Sequence, residues 1–201
     1  MKRILACSGV ALALFAGGWM SAERAGQPEG GAQMGPALIV KMMEEAGKAT
    51  PEHEFLGRLV GMWDFTFTFM APGMPPTEHS GRCEFKPALG GRCLQYDVDM
   101  ELCILEARLP TRGLGVIGYN RHTGEYQTMW VDTLDPYMIF QTGKKVGDRI
   151  ETVGLSYSEG QEVMMKSTWV FHDEKRFDLE FHARAGEGGE WIKQGVIEHR
   201  R

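Results

Sequence analysis

Gly61-Met62-Trp63-Asp64-Phe65-Thr66-Phe67-Thr68-Phe69 alternates strictly, aromatic against polar, from Trp63 onward. Successive side chains of a strand point to opposite faces. Trp63, Phe65, Phe67 and Phe69 therefore share one face, and Asp64, Thr66 and Thr68 share the other. This is a strand with one buried side and one wet side.

Forward of Phe69 the same period recurs in nine further runs, near 79–88, 92–102, 112–120, 125–133, 137–143, 148–156, 163–172, 175–184 and 190–199. Turn signals separate them: Gly90-Gly91, Thr123-Gly124, Asp135-Pro136, Gly147-Asp148, Gly160, Asp173-Glu174 and Gly186 to Gly189. No helical period interrupts the series. Sequential strands with short connections form an antiparallel meander, and about ten of them have to curl or close. The expected fold is all-β: a closed antiparallel up-and-down barrel of about ten strands over 62–201, which leaves no unpaired edge. Cys103 falls between runs, in an expected loop.

Backward of Gly61 the period is helical. Thr50-Pro51 reads as an N-cap followed by proline at the first helical position, and Phe55, Leu56, Leu59 and Val60 form an apolar face ending at Gly61. Leu38, Ile39, Met42, Met43 and Ala46 cluster at helical spacing within 36–47. Residues 36–61 are expected as short helices capping the barrel, and 26–35, rich in glycine, as a flexible leader. Met1-Lys2-Arg3, an apolar run from Ile4 to Ala16 and the small residues Ser21-Ala22 have the order of a secretory signal peptide, 1–25. The chain is expected to be exported, periplasmic or secreted, with no membrane span once the leader is cleaved.

Composition agrees. The chain has 201 residues, 43% hydrophobic and 24% charged, which is too apolar for a disordered chain. Its net charge is -5, and residues 1–25 carry three of the 22 basic and one of the 27 acidic residues, so cleavage leaves -7. Such a balance does not favour nucleic acid.

Register follows from the Gly90-Gly91 turn, across which Leu94, Tyr96 and Val98 sit opposite Pro87, Phe85 and Cys83. Cys83 then faces inward, about five residues out of register with Cys93. That is roughly 17 Å, beyond disulfide reach, while a Cys93–Cys103 pair stays open. Phe65, Phe67, Phe85, Tyr96, Trp169, Phe171, Phe177 and Phe181 should line the lumen. Trp130 and Asp132 share a face that matches Tyr119 and Tyr126 across the Thr123-Gly124 turn. If that face is the inner one, Asp132 is an acid in an apolar lumen. It either meets a ligand's polar head or pairs internally with an arginine or tyrosine hydroxyls.

Gly61-Met62-Trp63, directly after a short helix, is similar to the lipocalin and calycin signature. The wider set resembles a family of mostly bacterial proteins, the domain-of-unknown-function family 1579: Pro51-Glu52-His53, Leu59-Val60-Gly61-Met62-Trp63, Gly90-Gly91-Arg92, Gly113-Leu114-Gly115 with Gly118-Tyr119-Asn120, and Trp130-Val131-Asp132. The match spans roughly 50–200. It implies a lipocalin-like barrel without an established biochemical activity. It also implies that a basic side chain packs over Trp63. Arg92, Lys193 and Arg200 are candidates, and Arg201 is assigned to solvent.

No H-x-H, H-E-x-x-H, Cys-x-x-Cys, G-x-S-x-G or P-loop occurs, so no catalytic residue, metal or cofactor is assigned. Alternation turns His172 and His182 outward and leaves His199 as the single inward histidine. Some calycin barrels hold haem through one histidine. The expected function is binding of a small hydrophobic or amphipathic ligand by Trp63, Phe65, Phe67, Phe85, Tyr96, Tyr119, Trp130, Asp132, Trp169 and Phe181. A side-chain-filled interaction domain is the alternative, and an enzyme or haem protein the third reading.

Overall fold

A computed structural model describes residues 35–71, 73–104, 107–135, 137–158, 160–186 and 188–201. The expected signal peptide, and the leader up to residue 34, lie outside them. Contacts divide the chain after Gly47. The unit before that point contributes helix α1, Pro36–Ala46, which buries none of its residues.

The second unit, Lys48–Arg201, begins with helix α2, Pro51–Leu56, and a single 3-10 turn, Gly57–Leu59. Pro51 occupies the first helical position, and the Thr50 N–H donates to His53 Nδ1 at 3.0 Å, which satisfies one orphan donor of the helix start. Ten strands follow: β1 Gly61–Phe69, β2 Thr77–Ala88, β3 Cys93–Ile104, β4 Ala107–Asn120, β5 Glu125–Asp132, β6 Ile139–Val146, β7 Arg149–Ser158, β8 Gln161–Phe171, β9 Arg176–Arg184 and β10 Ile192–Arg200. Each pairs antiparallel with the next, and β10 closes on β1 from Asp64↔Arg200 to Phe69↔Gly195. The barrel is closed and up-and-down, as the alternation requires.

The register deduced across Gly90-Gly91 holds, with Phe85 opposite Tyr96 and Cys83 opposite Val98. Cys93 pairs with Ala88, five residues from Cys83. Cys103 is not in a loop but near the end of β3, the strand that begins at Cys93. The two therefore lie about ten residues apart on one strand, roughly 33 Å, too far for a disulfide.

The β3–β4 hairpin runs beyond the expected limits of 102 and 112, and Pro110 lies inside β4. It pairs with Glu101 where β4 runs beside β3 alone; pairing with β5 starts only at Gly113↔Asp132. An edge position needs no N–H, so proline is tolerated there.

The outer face carries a row of alternating charge across five adjacent strands: Arg200, Asp64, Arg82, Asp99 and Arg112 are successive cross-strand neighbours. Arg82 Nε lies 2.7 Å from Asp64, and Arg112 Nε 3.1 Å from Asp99. Exposed pairs stabilise little individually. A one-residue slip would turn these charges into the lumen, so the row helps specify register.

Candidate functional site

The inner face divides into a packed floor and an open upper chamber. At the floor Leu56 and Leu59 are buried against Trp63, Phe85, Phe177 and Tyr126. The Trp63 indole N–H donates to the Leu59 carbonyl at 2.7 Å, and its ring meets Phe177 edge-on at 4.8 Å. Arg201 is the cation over Trp63, with its guanidinium 4.2 Å from the ring centre. The same guanidinium donates to the carbonyls of Val60, Arg58 and Glu174 at 2.7, 3.2 and 2.8 Å. The assignment of Arg201 to solvent is therefore corrected. Terminal position suggested a loose end, but β10 delivers this residue to the mouth of the same end that α2 plugs.

Above the floor lies a cavity of about 650 Å³, bordered at its far end by the β1–β2 loop (Ala71, Met74), the end of β3 and Leu134. Eight of the ten expected residues line it: Phe65, Phe67, Phe85, Tyr96, Trp130, Asp132, Trp169 and Phe181. Trp63 and Tyr119 do not. Tyr119 sits edge-on to His53 of α2 at 5.7 Å and against Tyr126 at 5.1 Å, so it belongs to the floor.

The chamber stays wide because four inward glycines each lie beneath an aromatic ring. A Cβ on Gly115 would fall 1.9 Å from Tyr96 Cζ, and one on Gly113 2.1 Å from the Trp130 ring. The corresponding approaches are 2.4 Å from Gly81 to Phe65 and 2.8 Å from Gly195 to Phe67. Tyr96 and Trp130 thus lie along the wall, stacked at 5.7 Å and within 20° of parallel. Glycine in a strand normally weakens it, and covering it with a neighbouring ring offsets that loss. This gives Gly113-Leu114-Gly115 a physical role.

Polar groups on the wall are few and mostly committed. Among the described residues Asp132 meets neither an arginine nor a tyrosine. Its carboxylate accepts from the Trp130 indole at 2.8 Å and from the backbone N–H groups of Leu134 and Asp135 at 2.8 and 3.0 Å. Sequence reasoning missed these donors because two belong to the following turn. Gln141 accepts from Thr128 and Thr152 and donates to the Met165 carbonyl at 3.1 Å.

His199 does point inward, 4% exposed, and stacks on Phe177 at 4.0 Å. Burial pulls its pKa down to about 3, and Nδ1 has no hydrogen-bond partner. It is not alone, however. His79 is equally buried and also lines the cavity. The alternation that turns Cys83 and Phe85 inward turns His79 inward as well, and the sequence reading failed to apply it there. Its Nδ1 accepts from Cys103 N–H at 3.0 Å, leaving Nε2–H for Thr77 Oγ1 at 3.0 Å.

The profile of a family described as "Protein of unknown function (DUF1579)" matches residues 48–201, the whole barrel with its plug helix. The chain belongs to this family. No curated protein matches the sequence. Among solved structures, this DUF1579 barrel is similar to Rv2717c from M. tuberculosis, with a TM-score of 0.55 at 16% identity over 77% of this chain and 99% of that one. It is also similar to the S-type phycobiliprotein lyase CPES from Guillardia theta, with a TM-score of 0.49 at 11% identity over 79% of this chain and 96% of that one. At 16% identity the likeness to Rv2717c is one of fold alone. No helix among the described residues is long and apolar enough to cross a membrane.

Proposed function

We propose that this protein binds a small apolar or amphipathic molecule non-covalently in the barrel lumen. The observation that carries the reading is the aromatic-walled cavity of about 650 Å³ above a separately packed floor. A volume of that order is typical of small-molecule sites, and binding would draw on removal of ligand and wall from water. The N-terminal pattern supports export, so the ligand would be met outside the cytoplasm; N-terminal sequencing that finds Met1 on the mature protein would refute export. Native mass spectrometry of gently purified protein, with solvent extraction, tests binding. A recurrent co-purifying small molecule is expected. A clean apo mass, together with no uptake of any apolar probe, would favour a structural or interaction domain.

One observation favours a second reading, an iron porphyrin held through His199. This imidazole is buried and lines the cavity; its unpartnered Nδ1 is sealed, so iron would have to be held at Nε2. The porphyrin's carboxylates, however, meet no lysine or arginine among the described cavity-lining residues and would have to lie at the mouth. A Soret shift on haem titration that is lost in His199→Ala would support this reading; no spectral change would end it.

A further inference from the structure

The charge inventory of the chamber narrows the class of ligand. Among the described residues that line it there is no lysine or arginine, and Asp132 is the one carboxylate. Of the two lining imidazoles, His79 has both ring nitrogens engaged, by Cys103 N–H and Thr77 Oγ1, and burial keeps His199 neutral at ordinary pH. A carboxylate, sulfonate or phosphate drawn into this space would lose its hydration, find no counter-ion, and share the chamber with Asp132.

The rest of the wall is mostly apolar: Phe65, Phe67, Val98, Met100, Leu179 and Ile197 line it.

Resting on the binding reading above, we propose that the lumen selects uncharged apolar molecules and rejects anionic amphiphiles such as fatty acids. The selection is electrostatic: shape admits both classes, and desolvation without a counter-ion removes one.

Two fluorescent probes with the same anilinonaphthalene skeleton test this on the purified full chain: N-phenylnaphthylamine, which is uncharged, and anilinonaphthalenesulfonate, which is anionic. The uncharged probe is expected to bind at least about tenfold more tightly. Sulfonate-probe fluorescence that the uncharged probe does not displace counts as surface binding. In Ser167→Lys an ammonium enters the chamber from a buried wall residue with no side-chain hydrogen bond described. The sulfonate probe should then gain at least about tenfold. Equal, mutually competitive binding of both probes to the parent protein would overturn the charge selection while leaving lumen binding intact. Binding of neither would overturn lumen binding itself, and this inference with it. The parent measurement decides whether or not the lysine variant folds.

Discussion

Gly115→Ala is the sharpest test of how the chamber is held open. The backbone at Gly115 is not in the left-handed region, so alanine is conformationally acceptable there. Taken alone, the change would stabilise by about 0.4–1 kcal/mol through the unfolded chain. The contact environment opposes it. The added methyl would sit 1.9 Å from Tyr96 Cζ and 2.3 Å from its Cε1 and hydroxyl oxygen. Tyr96 cannot step aside easily, because it is stacked on Phe85 at 4.7 Å and on Trp130 at 5.7 Å. Nor can Gly115 retreat, since it pairs with Tyr96 on one side and Trp130 on the other. Overpacking of this kind costs about 1–3 kcal/mol, so the net expectation is a loss of about 1–2 kcal/mol. For a domain of this size that is a fall in Tm of roughly 3–6 °C.

Urea titration followed by circular dichroism measures the loss, and a double-mutant cycle assigns it. Tyr96→Phe leaves Cζ in place and should give no relief. Tyr96→Leu removes the ring, so in that background Gly115→Ala should be neutral or mildly stabilising, a coupling of about 2 kcal/mol. The lifted ring should also intrude on the chamber and weaken binding of N-phenylnaphthylamine. If Gly115→Ala is as stable as the parent, or destabilises equally with and without the ring, the aromatic cover is not what this glycine serves.

Other outcomes follow from the floor and the buried titratable groups. Arg201→Met should cost about 1–2 kcal/mol in urea unfolding, with Lys a poor substitute, because one guanidinium covers Trp63 and donates to three carbonyls. His199 has its folded pKa lowered from 6.5 to about 3. The unfolded chain therefore binds a proton that the folded one does not. Stability is unaffected well above pH 6.5 and falls as pH drops from there toward 3. Between pH 7 and pH 5 the loss from this group is about 2 kcal/mol, and urea midpoints for His199→Phe should show that much less pH dependence. Cys83, buried with its thiol pushed up to about 12 by desolvation, should resist aromatic disulfide reagents in the folded protein. Denaturation without reductant should release it along with Cys93 and Cys103, and a mapped disulfide among them would contradict the register.

The barrel was legible because period two is an unambiguous local signal and Gly90-Gly91 supplies a fixed point from which faces can be counted. Phe85 opposite Tyr96 follows from counting alone. Most of the wall was legible for the same reason. What could not be read is whatever depends on which end of the barrel a residue occupies. Trp63 and Tyr119 share the inward face with Phe65 and Trp130, yet α2 plugs their end and takes them out of the chamber. Arg201 escaped because its partners lie 141 and 143 residues away in the chain. Two of the three donors to Asp132 escaped because they are backbone groups, which a sequence does not display. His79 is different in kind: alternation does place it inward.

The division between floor and chamber also bears on what the lumen contains. Held empty, an apolar void of 650 Å³ would cost on the order of 16 kcal/mol at about 24 cal/mol per Å³, more than the roughly 5–15 kcal/mol by which whole domains are stable. The chamber therefore exists only if it is wetted or filled. Ordinary proteins avoid the problem by letting side chains collapse inward. Here collapse is opposed, because Phe65, Phe67, Tyr96 and Trp130 lie over glycines and Tyr96 is braced by Phe85 and Trp130. The packed floor, with Trp63, Leu56, Leu59 and Phe177, supplies cohesion that does not depend on any ligand. Water in the chamber would face mostly aromatic carbon and few free hydrogen-bonding groups, so an apolar guest would displace it favourably. Floor and chamber thus divide two requirements that conflict within a single close-packed core: folding without a guest and remaining open to one.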